Sequence, residues 1–326
     1  MARIVCAGHL SLDIPYKAVD KSVFTRDTTF VDSAYVTTGG DALNCTANLT
    51  KLGLGKDLKY VSVIGDDAFG KMTLADLEAS GINTSSVRCK KDVGSFATVV
   101  LISEDGERHF MCAGNANRNV TVDDVLSELS KDTELLHIGS FMSLDMLEGE
   151  YMARMFQTAQ SMGIKTSFDV TYDSEGKWLK KIEPGLPYSD IMFASYDEAV
   201  SLSGYRTPEE IGAFFLSKGV KQFVLKNGEE GCYAASLCEK LFVPAYHCVP
   251  VVDTTGAGDA FVSGYLYGFL HGLSTEECCV LGCAQGAMCI RTMGAHIGTG
   301  TLLELKEFIR ENGALTLDSE ELLRKF

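Results

Sequence analysis

No stretch of the chain is apolar for long enough to span a bilayer, and Met1-Ala2-Arg3-Ile4-Val5-Cys6 runs straight into a strand-like segment with no hydrophobic leader. These absences predict a cytoplasmic protein without a membrane partner. Basic residues are scarce as well: 29 Lys and Arg stand against 44 Asp and Glu, a formal net charge of -15. So acidic a surface repels phosphate backbones over most of its area, which argues against nucleic acid as a partner and still allows a nucleotide to bind locally. Paired cysteine spacing is missing too. The 11 cysteines are odd in number and scattered, and Cys278, Cys279 and Cys283 lack the rhythm of a zinc site, so they read as reduced core residues.

What the chain does have is size, with 326 residues of which 46% are apolar, enough for one large α/β domain and a smaller appendage. After a short strand at 3–7, the region from Leu135 onward alternates strands and helices: strands near 135–139, 164–169, 191–194, 222–226 and 232–235, with a helix at 146–162 closed by Gly163. Two excursions, 14–38 and 87–112, instead alternate apolar and polar residues, the second around a hairpin-like Glu104-Asp105-Gly106-Glu107. Strands too few to fold alone should cover the carboxyl edge of the main sheet as a lid, or pair with a second subunit. The expected division is a body of 1–13, 39–86 and 113–326 and a lid of 14–38 and 87–112. The tail, 301–326, reads as amphipathic helix against the outer face.

One stretch carries the chemistry. Val252-Asp253-Thr254-Thr255-Gly256-Ala257-Gly258-Asp259-Ala260-Phe261 leads into apolar residues at helical spacing, so unpaired first-turn amides open into a loop poor in side chains. Such a start attracts anions, and glycines let a phosphate approach the backbone. Asp259 beside it has the position of a base that takes a proton from a hydroxyl while the amides hold a transferring phosphoryl group. A plain cap by Asp253 or Asp259 over a tight turn is the competing explanation.

Other segments carry weaker signals. Gly39 and Gly40 open a helix with Asn44 one turn inside and Gly53 at its end. Gly8-His9-Leu10-Ser11-Leu12-Asp13 reads as a turn at the carboxyl end of the first strand, where α/β sheets bind ligands. Gly65-Asp66-Asp67-Ala68-Phe69-Gly70-Lys71-Met72 nearly spells a phosphate-binding loop, but Met72 cannot ligate magnesium and the two aspartates would repel phosphate. His137, mid-strand among apolar residues, reads as a core histidine. Thr207-Pro208-Glu209-Glu210 is a helix cap without chemistry, and Ser274-Thr275-Glu276-Glu277 caps a helix through about Ile290.

Asp253 to Phe261 resembles, through nine consecutive residues, the C-terminal signature of the ribokinase-like, or PfkB, carbohydrate kinase family. Gly39-Gly40 with Asn44 is similar to its N-terminal signature. The resemblance implies a three-layer α/β/α fold with a mostly parallel central sheet and a small β-sheet lid, often used for dimerisation. It implies ATP and Mg2+, a catalytic set of Asp259, Gly256, Ala257 and Gly258, and acceptor contacts from Asp13, Gly39, Gly40, Asn44, Phe96, Ser140 and Asp259. Asp41 stands where many relatives differ and so would tune the acceptor. Nucleotide contacts would come from Lys226, Gly228, Gly231, Thr255, Gly256 and Gly258, with Cys283 and Ala287 walling the adenine. Ser195-Tyr196-Asp197-Glu198 is similar to the family's Asn-x-x-Glu motif, whose Glu orders magnesium-bound water; Ser195 replaces the usual Asn, and Asp197 and Glu198 also suit a first helical turn. Asp253, Thr255 and carbonyls near Gly294 are candidates for K+. Where fructokinase-like and ketodeoxygluconate-kinase-like relatives carry Asn and Arg, Thr171 and Asp173 stand, and without that arginine a sugar acid is disfavoured.

The expected activity is transfer of the γ-phosphate of ATP to a primary hydroxyl of a sugar or sugar-like acceptor, with Asp259 as a base of low pKa at its helix start. A nucleoside or pseudouridine kinase of the same fold is the alternative, and a non-catalytic sugar sensor is opposed by the intact Asp259. A homodimer through the lid is expected.

Overall fold

The computed structural model describes residues 2–17, 19–103, 108–247 and 250–326. The first strand, β1 (Ile4–Gly8), is short, apolar and buried at every position. Its neighbours in the large sheet are β5 (Leu58–Gly65) and β9 (Leu135–Phe141), both parallel to it. Beyond β9 follow β10 (Lys165–Val170), β11 (Ile191–Ser195) and β12 (Gln222–Lys226), all parallel, and then β13 (Cys232–Ser236) and β14 (Lys240–Val243), which run antiparallel. The strand β6 (Val87–Lys90) closes the other side, parallel to β5. The order is therefore β14-β13-β12-β11-β10-β9-β1-β5-β6.

Alternation along β1 assigns the layers. Ile4 and Cys6 belong to one buried cluster, with Leu43, Phe261 and Tyr265, while Val5 and Ala7 belong to another, with Phe141, Phe156 and Phe168. Because successive strand residues face opposite sides, helices cover both faces and the architecture is three-layer α/β/α.

A second sheet stands apart. It is built from β2 (Ser11–Lys17), β3 (Ser33–Ala34), β4 (Thr37–Gly39), β7 (Ala97–Ile102) and β8 (Arg108–Ala113), with β3, β2, β7 and β8 side by side and β4 paired to β2. Two sequence expectations change here. Asp13 lies within a strand rather than a turn, because β2 begins only two residues after β1. Val87–Lys90, assigned to the lid from its alternation, pairs with β5 in the large sheet. The hairpin-like 104–107 segment lies outside the described residues.

Local signals elsewhere match the structure closely. Asp67 caps the helix Ala68–Ala79 by accepting from Gly70 N, and its other oxygen accepts from Ser95 N at 2.8 Å, so the near-phosphate-loop segment is occupied in capping. Thr207 and Ser274 cap the helices Pro208–Ser217 and Thr275–Cys289. The helix expected at 146–162 spans Glu150–Ser161, and the tail forms two helices, Leu302–Asn312 and Ser319–Leu323. Seven described cysteines are buried, whereas Cys89, Cys112 and Cys238, also read as core, are exposed. His137 is buried and bonded to Ser167 Oγ at 3.0 Å. Among the described residues no helix is long and apolar enough to cross a membrane.

Candidate active site

Four parallel strands of the large sheet end side by side, carrying Ser140, Asp169, Ser195 and Lys226 to one edge. The helix Ala257–Leu270 starts over that edge, and the two enclose a cavity of about 820 Å³. Ser195, Glu198, Lys226, Gly228 and Gly231 line it from the sheet, and Gly256, Ala257, Gly258 and Asp259 from the helix start. Cys283, Gly286, Ala287 and Ile290 line it from the neighbouring helix at intervals of three and four, which gives one flat and mostly apolar wall.

The helix start is shaped by Gly256, whose φ of 75° lies in the left-handed region. A Cβ there would also stand 2.0 Å from Ala295 O, so no other residue fits. Ala257 N donates to Thr254 O at 3.2 Å, and the bond from Ala260 N to Gly256 O, at 2.8 Å, begins the helical ladder. The amides of Gly258 and Asp259 come before that ladder and face a cavity wide enough for an anion.

Charge is concentrated around one lysine. The Lys226 ammonium pairs with Asp169, and a Cβ on Gly258 would lie 3.2 Å from its Nζ, so the cation abuts the cradle. Burial works against its charge, but Asp169 and Glu198 prevail and hold it above the ordinary lysine range. Asp41 accepts from Ser140 Oγ at 2.6 Å, and Ser140 is held at a φ of 72° in a bulged end of β9. Burial raises the pKa of Asp41, and Asp41 in turn helps raise that of Asp259. Asp259 is pushed well above the carboxylate range, first by burial and then by Asp41, against the opposing pull of Asn44 and Lys226. The low pKa expected from its helix position is thus overturned. Glu198 takes up the structural alternative: its Oε2 accepts from Ser195 N at 2.8 Å in a capping box.

Of the acceptor candidates only Asp259 lines this cavity; Asp13, Gly39, Gly40, Asn44, Phe96 and Ser140 do not. Asp13 accepts from Ser11 Oγ at 2.6 Å, and burial raises its pKa against the bonds from Ser11 and Thr98. Gly39 allows the carboxylate to lie against its backbone, since a Cβ there would sit 2.3 Å from Asp13 Oδ2. Gly40 adjoins His9, and the His9 ring meets Phe96 edge-on at 4.8 Å. Asn44 joins the two regions: its Nδ2 donates to Asp259 Oδ2 at 2.7 Å.

Asp253, Thr255 and Gly294 do come together. Asp253 accepts from Thr255 N at 2.8 Å and from Gly294 N at 3.0 Å, and the carbonyls of Thr255 and Ala295 converge on Cys289 Sγ. These hard oxygen donors suit K+ in type. Among the described residues no group of three or more His, Cys, Asp or Glu could hold a metal ion, so magnesium would rely mainly on phosphate oxygens and water.

Sequence reasoning gave Asp169 and His296 no role. Asp169 announces itself only through its pairing with Lys226 across β11, a contact between residues 57 apart. His296 Nδ1 lies 3.2 Å from Asn44 Oδ1. Asp173, read against an expected arginine, is structural: it accepts from the backbone of Glu175 and Trp178 and faces Lys181.

Comparison with known proteins agrees with this architecture. The family model described as pfkB family carbohydrate kinase matches residues 1–301. A curated relative, an uncharacterized sugar kinase of Archaeoglobus fulgidus, is 30% identical over 250 residues, 75% of this chain and 96% of its own. A 5-dehydro-2-deoxygluconokinase of Clostridium perfringens is 26% identical over 286 residues, 84% of each chain. The ribokinase of Arabidopsis thaliana, solved with ribose and ATP, superposes with a TM-score of 0.80 at 22% identity, covering 95% of this chain and 99% of its own. Fold and edge-of-sheet cavity define a ribokinase-like α/β protein. The chain belongs to the PfkB family of carbohydrate kinases, and is a sugar kinase, a phosphotransferase with an alcohol group as acceptor.

Proposed function

We propose that the enzyme transfers the γ-phosphoryl group of ATP to a primary hydroxyl of a sugar, with Asp259 as the base. The observation that carries this reading is the 2.7 Å bond between Asn44 and Asp259, which ties the cavity-lining carboxylate to the helix that Gly39 and Gly40 open. An acceptor held by Asp13, Gly39, Gly40, Asn44, Phe96 and Ser140 would point its hydroxyl at Asp259. The hydroxyl oxygen attacks phosphorus in line as the bond to ADP breaks, and its proton passes to Asp259. A carboxylate whose proton affinity is raised by burial suits that task, since the proton leaves late in a loose transition state. The amides of Gly258 and Asp259, with Lys226 beside them, stabilise the charge on the transferring group.

The triphosphate would run past Lys226, Gly228 and Gly231, with Thr255, Gly256 and Gly258 on the helix side and the adenine against Cys283 and Ala287. Magnesium, when bound, neutralises the phosphate oxygens, with Glu198 and Ser195 reached through water; K+ would sit by Asp253, Thr255 and Gly294. The open-edged strand β8 exposes Phe110 and Met111, and Phe24 and Phe30 are exposed nearby in sequence to β2, which supports a homodimer through the small sheet.

The acceptor is found by an ATP-consumption screen over ribose, fructose, sugar phosphates, 5-dehydro-2-deoxygluconate and nucleosides. The clostridial relative's name puts the sugar acid on that panel, although the edge at Thr171 and Asp173 has no arginine for a carboxylate. Turnover with a sugar, and a 31P signal of a primary phosphate ester, is expected. Turnover with nucleosides alone would favour the alternative reading, and turnover with none would remove the kinase assignment.

A further inference from the structure

The Asp41–Leu49 helix and the short turn after it present Asn44, Asn48 and Lys51, spaced by four and then three residues, to a single segment of chain. That segment is 296–299. Lys51 Nζ donates to His296 O at 2.5 Å and Thr299 O at 3.1 Å, and Thr299 Oγ1 donates to Asn48 Oδ1 at 2.6 Å. The third contact of the row sets His296 Nδ1 at 3.2 Å from Asn44 Oδ1, while the other arm of the same amide holds Asp259. His296 does not line the nucleotide cavity, yet it is held against the amide that bonds Asp259.

Donor and acceptor inventory then sets the direction of each bond. To take a proton as the base Asp259 must be ionised, and an ionised carboxylate only accepts, so Asn44 must turn its NH2 toward it. Its remaining oxygen also only accepts, so the atom facing it must carry a hydrogen. We infer that His296 is a positioning residue for the base: by donating from Nδ1 to Asn44 Oδ1 it prevents the amide from flipping and keeps Nδ2 on Asp259. Without that donor the carboxylate alone orients the amide, and one contact instead of two holds Nδ2 in line with Asp259 Oδ2. The inference rests on the reading of Asp259 as base, but its first consequence is independent of activity. His296 should be the Nδ1–H tautomer, fixed by its partner rather than by the ring's own preference.

Two measurements test it. Long-range 1H–15N correlation on protein labelled with 15N-histidine, with His296 assigned by its loss in His296→Asn, should show Nδ1 protonated in the parent and the proton moved to Nε2 in Asn44→Ala. Steady-state kinetics with the sugar that the screen turns over best supplies the second. His296→Leu and His296→Asp should lower kcat by about tenfold to a hundredfold with the KM for ATP within about twofold, a loss typical of a misplaced reacting group. His296→Asn, which carries a donor where Nδ1 stood, should restore most of it. In an Asn44→Ala background, His296→Leu should cost nothing further. An Nε2–H tautomer in the parent, an Asn substitution as harmful as Leu, or equal losses in both backgrounds would overturn the inference. Failure of the base reading looks different: Asp259→Asn would then turn over normally while the tautomer result stood.

Discussion

The buried acids around Lys226 make a residue-scale prediction whose sign follows from their proton affinities. Asp41 lines the cavity half-buried and its pKa is raised, first by burial, so its ionisation opposes folding at pH above the folded value and ceases to matter as pH falls below the unfolded value. Asp41→Asn keeps an oxygen for Ser140 and removes the charge. The ligand-free variant should therefore be more stable than the parent at pH 8 by about 1–3 kcal/mol, and the gap should close toward pH 4. Denaturant unfolding at several pH values reads this, and a variant no more stable at pH 8 would contradict it. Such a site sacrifices stability for function, as sites often do. Asp41 was visible in the sequence only as a departure from pattern, because the charges that act on it come from Lys226 and Glu198, remote in sequence. The same distance hid Asp169 and His296.

At the scale of elements, the two glycine-led helices were legible because close backbone approach leaves a mark in the sequence itself. Gly39 illustrates it. Adding a Cβ 2.3 Å from Asp13 Oδ2 displaces the carboxylate and leaves the nucleotide cavity, which Gly39 does not line, as it was. Gly39→Ala should raise the acceptor KM by about tenfold or more while the ATP KM stays within about twofold, as expected when only one substrate's contacts are lost. Equal effects on both substrates would show that the glycine serves folding alone. The small-sheet boundary was harder to read. Val87–Lys90 is partly or fully exposed at every position, so its side chains carry no mark of the large sheet, and only its register against Ser62–Gly65 places it there. Asp13 was misread as a turn residue for a related reason: Gly8 ends one strand and Ser11 begins another, a change of sheet that local propensity does not record.

At the scale of the whole molecule, the alternating strands and helices specify the three layers, and the nine-residue signature specifies where they open. Partnership is less directly encoded. Phe110 is 60% exposed and Phe24 77%, on or beside a sheet of five short strands, so a second copy would bury what one chain leaves in water. Light scattering should give twice the chain mass, and Phe110→Lys should shift it toward the monomer; a monomeric parent would contradict this. The central claim concerns Asp259, and one comparison tests it most directly: turnover of the best acceptor by Asp259→Asn set beside ATP affinity measured by calorimetry. The account predicts a kcat lower by about 10²–10⁴ with nucleotide binding retained, the loss expected when a general base is removed. A kcat within a few-fold of the parent would contradict it.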